Sequence, residues 1–289
     1  MYFSVGSEEI FANYLRFLRQ DPALPDQEPS FNALKAAYGR IIAEKNPLKE
    51  EKFTEDTPYR VVDSVSEARL LMQVYCNDSM LDDMDQGAVI VDRFDVKLLE
   101  KVKSYTDQLA VILERDYALR AVFDLTINYV FVMPSEIASG GSSSALPGVI
   151  WINPRDSWDD LDRQELLVHE LTHNLLFVDE IVHGFFDYGP MPKKENWTYS
   201  AVLAKKRPLD KAFHSAVVAA EVLLYRHTFK QHPDNPGAHP PTDLLLRQTQ
   251  TSLDECRASS LLLPRARFLL DACQEKLTTA YQLDTVCYA

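Results

Sequence analysis

Residues 166–177 read LLVHELTHNLLF and set His169, Glu170 and His173 in the pattern HExxH. The pattern has chemical meaning on a helix, where positions four apart share a face about one turn apart and two imidazoles can reach one ion. Glu170, one residue past the first imidazole, can lean over that ion's open side. A carboxylate there is suited to act as general base on metal-bound water. The flanks supply the helix. Leu161, Val168, Leu171, Leu175 and Val178 recur at helical spacing, the mark of an amphipathic or buried helix. Ser157 and Asp160 form a capping-box-like start, and Asp159, Asp160 and Asp162 load the first turn with the negative charge a helix N-terminus favours.

Around this stretch the chain alternates helical and extended texture. Residues 7–20 and 30–45 carry apolar side chains three and four apart and are predicted helices, separated by an acidic, Pro-rich loop at 21–28. Residues 45–58 are charged and interrupted by Pro47 and Pro58, a connection. Residues 64–76 and 94–118 are again helical, the second long enough for a central support. The texture changes at Val122. Residues 123–133 (FDLTINYVFVM) are β-branched and aromatic and predict a strand, 135–144 a small-residue loop, and 148–153 (GVIWIN) a second strand. A strand beside a metal-binding helix can line its cleft and pair with an extended peptide. Beyond the motif, a polar stretch carries Lys193, Lys194, Lys205, Lys206 and Arg207; either a solvated face or a carboxylate-docking site fits it. Residues 209–231 form a helix, 234–243 a turn-rich break, and 244–259 and 264–283 the closing helices. The expected fold class is α+β, mostly helical, with a small sheet beside the HExxH helix. The expected organisation is either one continuous domain or a helical region over 1–118 followed by a metal-binding region over 119–289.

Composition bounds the function. The chain has 289 residues, 46% of them hydrophobic, enough for a sizeable core. A net charge of −13 argues against nucleic acid as a partner. No apolar run is long enough to span a membrane. Glu8 and Glu9 stand where a secretory signal would need a basic region. Cys76, Cys256, Cys273 and Cys287 have no CxxC spacing and fit reduced thiols of a cytoplasmic protein.

Two histidines need a third protein ligand. Asp179 lies about 240° round the helix from His173, and Glu180 about 10.5 Å along it, so neither joins both imidazoles on one ion. His183 would need a chain reversal near Gly184. His214 and Glu221, two turns apart on the helix that follows, are better placed. Glu221 would complete a two-His-one-carboxylate set and His214 a three-His set, and spacing leaves the choice open.

From His169 to about Arg226 the chain resembles the HExxH-type peptide β-hydroxylases, which use iron and 2-oxoglutarate on ribosomally made peptides. The residues that carry the likeness are LVHELTHNLLFVDE (167–180), SAVL (200–203) and RPLDKAFHSAVVAAE (207–221), with GVIWINP (148–154) before them. They cover a quarter to a third of the chain. The R-P-x-x-x-x-x-H-S block is far more specific than HExxH alone. The resemblance implies a zincin-like core, Fe(II) on His169, His173 and His214, and 2-oxoglutarate and O2 as cosubstrates. It makes Glu221 a secondary candidate and a ribosomally made precursor peptide the substrate. The far carboxylate of 2-oxoglutarate would be met by a cation, Arg207 first and Arg226 second. Glu170 would then be free of water activation. The rival expectation is a zinc metallopeptidase on His169, His173 and Glu221, with Glu170 as general base.

Overall fold

The computed structural model describes residues 1–24, 29–48, 52–76, 90–231 and 236–283, with the side chains of 109, 110 and 112–114 left aside. Parts of the expected loop at 21–28, the connection at 45–58 and the break at 234–243 lie outside the described residues, as does Cys287. In chain order the helices are α1 (Tyr2–Val5), α2 (Ser7–Leu18), α3 (Phe31–Ala43), α4 (Val65–Tyr75), α5 (Val96–Arg115), α6 (Tyr117–Thr126), α7 (Asp160–His183), α8 (Leu209–Phe229), α9 (Thr242–Arg257) and α10 (Pro264–Tyr281). The strands are β1 (Arg60–Val61), β2 (Tyr129–Val132), β3 (Gly140–Gly141), β4 (Val149–Ile152), β5 (Thr198–Ser200) and β6 (Lys205–Arg207). The fold is thus α+β and mostly helical, with a small mixed sheet. It divides into two compact units, Ser7–Val182 and a second made of Met1–Gly6 with His183–Ala289.

The first unit is built on a four-stranded sheet in the order β1-β2-β4-β3, parallel except for the antiparallel edge β3. β2 (YVFV) and β4 (VIWI) are buried at every position, the signature of strands covered on both faces. Tyr129, Phe131, Val149 and Trp151 pack on one face with Val62, Ala68 and Leu71. Val130, Val132, Ile150 and Ile152 alternate with them and turn to the other face. Because β1 comes from residues 60–61, the part before 118 supplies a strand to the sheet beside the motif helix. The two units adjoin in sequence at Gly6/Ser7 and at Val182/His183.

Two expectations are corrected here. The helix anticipated over 94–118 is two helices: Asp116 leaves helical geometry (φ −147°, ψ 94°) and its side chain accepts from Leu119 N, capping α6. The strand anticipated over 123–133 begins only at Tyr129, because Leu119, Val122 and Phe123 form a helical apolar face that outweighs β-branched content. A buried lysine then joins the pieces. Lys35 Nζ on α3 donates to Leu125 O (3.2 Å), Ile127 O (2.6 Å) and Asn128 Oδ1 (2.6 Å). Leu125 O and Ile127 O are acceptors left open at the C-terminal end of α6, and Asn128 adds its side-chain oxygen.

The second unit is organised on α8, buried along nearly its whole length from Leu209 to Arg226. α9 and α10 pack on it, and α1 lies against α8 and α10. The β5–β6 hairpin, unforeseen in the polar stretch before Pro208, rests on α8 and α9 through β5. Among the described residues no helix is long and apolar enough to cross a membrane.

Candidate metal centre

α7 starts two residues later than the expected cap. Asp162 N donates to Asp159 Oδ1 (2.9 Å) and Asp159 N donates back to Asp162 Oδ2 (3.4 Å). The capping box is therefore Asp159–Asp162, not Ser157–Asp160, because an N-cap side chain reaches the N3 amide. From that start the helix runs without interruption through the motif.

Every residue from Gln164 to Asp179 is buried except two, His169 and His173. Their imidazoles are half-buried, and their Nε2 atoms lie 3.2 Å apart. Two nitrogens bound to one ion at about 2.0–2.1 Å would be separated by about 2.8–3.4 Å in octahedral or tetrahedral geometry. The separation matches that of two ligands on one ion, and it is equally that of a hydrogen bond between a neutral pair of imidazoles. The His173 ring also stacks on Phe177, with centroids 6.3 Å apart and planes at 21°.

Glu170 faces the sheet. Its Oε2 accepts from Ser142 Oγ (2.8 Å), and burial pushes its pKa up to about 8, with the Ser142 bond opposing. Ser142 in turn accepts from Asn174 Nδ2 (2.9 Å), which also donates to Glu170 O (2.9 Å). Asn174 Oδ1 accepts from Gly148 N (2.8 Å) at the start of β4. One amide thus ties the motif helix to both β4 and the segment after β3. The close approach needs glycine. A Cβ on Gly140 would stand 2.9 Å from Trp151 O, 3.1 Å from Leu166 Cδ1 and 3.3 Å from Glu170 Oε1. Ser142, Asn174 and Gly140 were missed in the sequence, where SEIASGGSSS has the texture of a plain loop; the paired glycines are the one signal of close backbone packing it contains.

The remaining candidates belong to the second unit. Arg207 ends β6 and Pro208 precedes the first residue of α8, so the R-P-x-x-x-x-x-H-S block is a strand end, a helix start and a histidine in the second turn. His214 is buried, and desolvation, with the Lys211 charge adding to it, lowers its pKa to about 3. It is a neutral imidazole, the form that ligates metals. Ser215 Oγ accepts from Val202 N (2.9 Å), anchoring the hairpin turn. Glu221 is fully buried and already engaged. Its carboxylate pairs with the Met1 ammonium (2.7 Å) and accepts from Phe3 N (2.8 Å) and Ser4 N (2.9 Å), so it caps α1. Arg226, also fully buried, donates to Pro240 O (2.9 Å) and Thr242 Oγ1 (3.3 Å) and secures the passage from α8 to α9.

The structure thus brings His169 and His173 together and turns the Glu170 carboxylate to Ser142 on the sheet-facing side. Among the described residues, no group of three or more His, Cys, Asp and Glu side chains converges into a metal site. A surface pocket of about 400 Å³ is lined by His227, Thr242, Asp243, Ala280, Tyr281 and Gln282 and includes none of the candidates. No family model and no curated protein matches the chain.

Proposed function

We propose that the protein is an Fe(II)- and 2-oxoglutarate-dependent peptide β-hydroxylase on a zincin-like scaffold, with His169, His173 and His214 as its metal ligands. The observation that carries the reading is the Nε2 pair of His169 and His173, 3.2 Å apart on the two half-open positions of the otherwise buried stretch from Gln164 to Asp179. The R-P-x-x-x-x-x-H-S block supports it from the sequence side. His214 is taken over Glu221 because both oxygens of Glu221 hold the N-terminus of α1.

When bound, Fe(II), 2-oxoglutarate and O2 would supply the oxidative decarboxylation that couples succinate formation to hydroxylation of a side-chain β-carbon. The chain's own part is orientation. The helical turn between His169 and His173 would present two imidazoles to one ion. Arg207, on the strand that leads into the His214 helix, is assigned to the far carboxylate of 2-oxoglutarate, a bidentate partner for a guanidinium. Arg226 is the second choice, since its Nη1 already serves Pro240 and Thr242. Glu170, held by Ser142, secures the strand beside the site. The substrate is taken to be a ribosomally made peptide, in the cytoplasm.

The second reading, a zinc metallopeptidase with Glu170 as base, has the HExxH spacing in its favour and would require Glu170 to turn from Ser142 and Glu221 to leave α1. The two separate in one assay. Purified protein given Fe(II), 2-oxoglutarate and O2 should form succinate, and His173→Ala should abolish it and reduce bound metal. Succinate formation undiminished in His173→Ala would remove the proposed centre. Zinc-dependent peptide cleavage lost in Glu170→Gln would establish the peptidase.

A further inference from the structure

The β5–β6 hairpin pairs Thr198 with Arg207, Tyr199 with Lys206 and Ser200 with Lys205. Both main-chain groups of Tyr199 are used on the side away from β6: its N–H donates to Glu255 Oε2 (2.9 Å) and its carbonyl accepts from Ser252 Oγ (2.6 Å). Directly opposed residues of an antiparallel pair either exchange both hydrogen bonds or turn both residues' polar groups outward. Tyr199 and Lys206 are therefore the outward kind, and the N–H and C=O of Lys206 point to the outer edge of β6. Lys205 and Lys206 are exposed. The segment 193–207 carries Lys193, Lys194, Lys205, Lys206 and Arg207 against the single acid Glu195, in a chain whose net charge is −13. The Lys206 ammonium is only loosely met by Glu255, at 3.7 Å and well exposed.

We propose that the outer edge of β6 is a docking site for an extended acidic peptide segment. The segment adds as a third strand, exchanging hydrogen bonds with the main chain of Lys206 and setting carboxylates against Lys205 and Lys206. Lysines on an edge strand block pairing with a like-charged edge, so a second copy of β6 is repelled. The same charges attract an acidic strand. The hairpin needs no metal, so this inference stands apart from the proposed chemistry.

The test is fluorescence anisotropy on the full chain, with a chelator present. The probe is a labelled ten-residue peptide of repeating Glu-Glu-Thr-Thr, which offers carboxylates on both faces of an added strand, and the control is its Lys-Lys-Thr-Thr counterpart. The acidic peptide should bind at least about tenfold more tightly than the basic one, weakening as salt rises. The double variant K205E/K206E should lose at least about tenfold. Lys206→Pro and Lys206→Ala remove the same charge, but only proline also removes the outward N–H, which takes no part in the β5 ladder. Lys206→Pro should therefore bind several-fold more weakly than Lys206→Ala. Equal binding of the two variants would overturn the added strand. Equal binding of acidic and basic peptides, no binding of either, or unchanged binding by K205E/K206E would overturn the docking site.

Discussion

Gly140 shows how tightly the candidate site is built. Its α-carbon lies where β3 crosses the motif helix, and a methyl group there would meet Trp151 O at 2.9 Å, closer than a carbon and a carbonyl oxygen can stand. Gly140→Ala should destabilise the protein by about 1–3 kcal/mol in urea unfolding, the usual range for overpacking. Gly141→Ala should cost less, since its Cβ meets only the Trp151 ring, at 3.3 Å. Equal stability of Gly140→Ala and the parent chain would contradict this packing. The histidines were legible in the sequence because their spacing is a property of one helix. The partners of Glu170 were not, since Ser142 and Gly140 come from a loop-like segment that only the sheet brings alongside.

At the scale of elements, periodicity located the long helices well, and their ends were set by single polar side chains. The start of α7 is an example. Asp159→Ala should lose about 1 kcal/mol, the usual value of an N-cap, while Ser157→Ala should change stability little. The opposite ranking in thermal or urea unfolding would restore the cap to Ser157. α3 offers a second case, because nothing in its sequence marks Lys35 as the polar group on the buried face. Burial drives the Lys35 pKa well below its usual value, with the Asp124 carboxylate opposing, although its three acceptors match the three N–H bonds of an ammonium. Lys35→Met should cost about 2–4 kcal/mol at neutral pH by stranding those acceptors. The sign of the pH effect follows from proton counting. Between the lowered native pKa and the unfolded value near 10.4, the unfolded chain binds more protons, so native stability rises with pH. The stability of the parent chain relative to Lys35→Met should therefore widen as the pH is raised toward 10. A difference that stays flat across that range would mean the ammonium keeps its usual pKa.

For the whole molecule, fold class was within reach of the sequence and the short strands were not. Mostly helical texture with two short apolar strands leads to an α+β fold with a small sheet, as found. Strand β1 could not be read from composition, because it is two residues long and gains its place by pairing with β2, from nearly seventy positions later. The hairpin was hidden for a similar reason: Lys205–Arg207 has the composition of a solvated face, and its partner β5 makes it a strand.

An iron ion held by the His169–His173 pair and chelated by 2-oxoglutarate would have a direct spectroscopic signature. Purified protein is loaded anaerobically with Fe(II), titrated with 2-oxoglutarate and followed by visible absorption. The expectation is a charge-transfer band that grows with 2-oxoglutarate, saturates near one equivalent per iron and is absent in His173→Ala. No band in the parent protein, together with stoichiometric zinc that resists exchange, would contradict it.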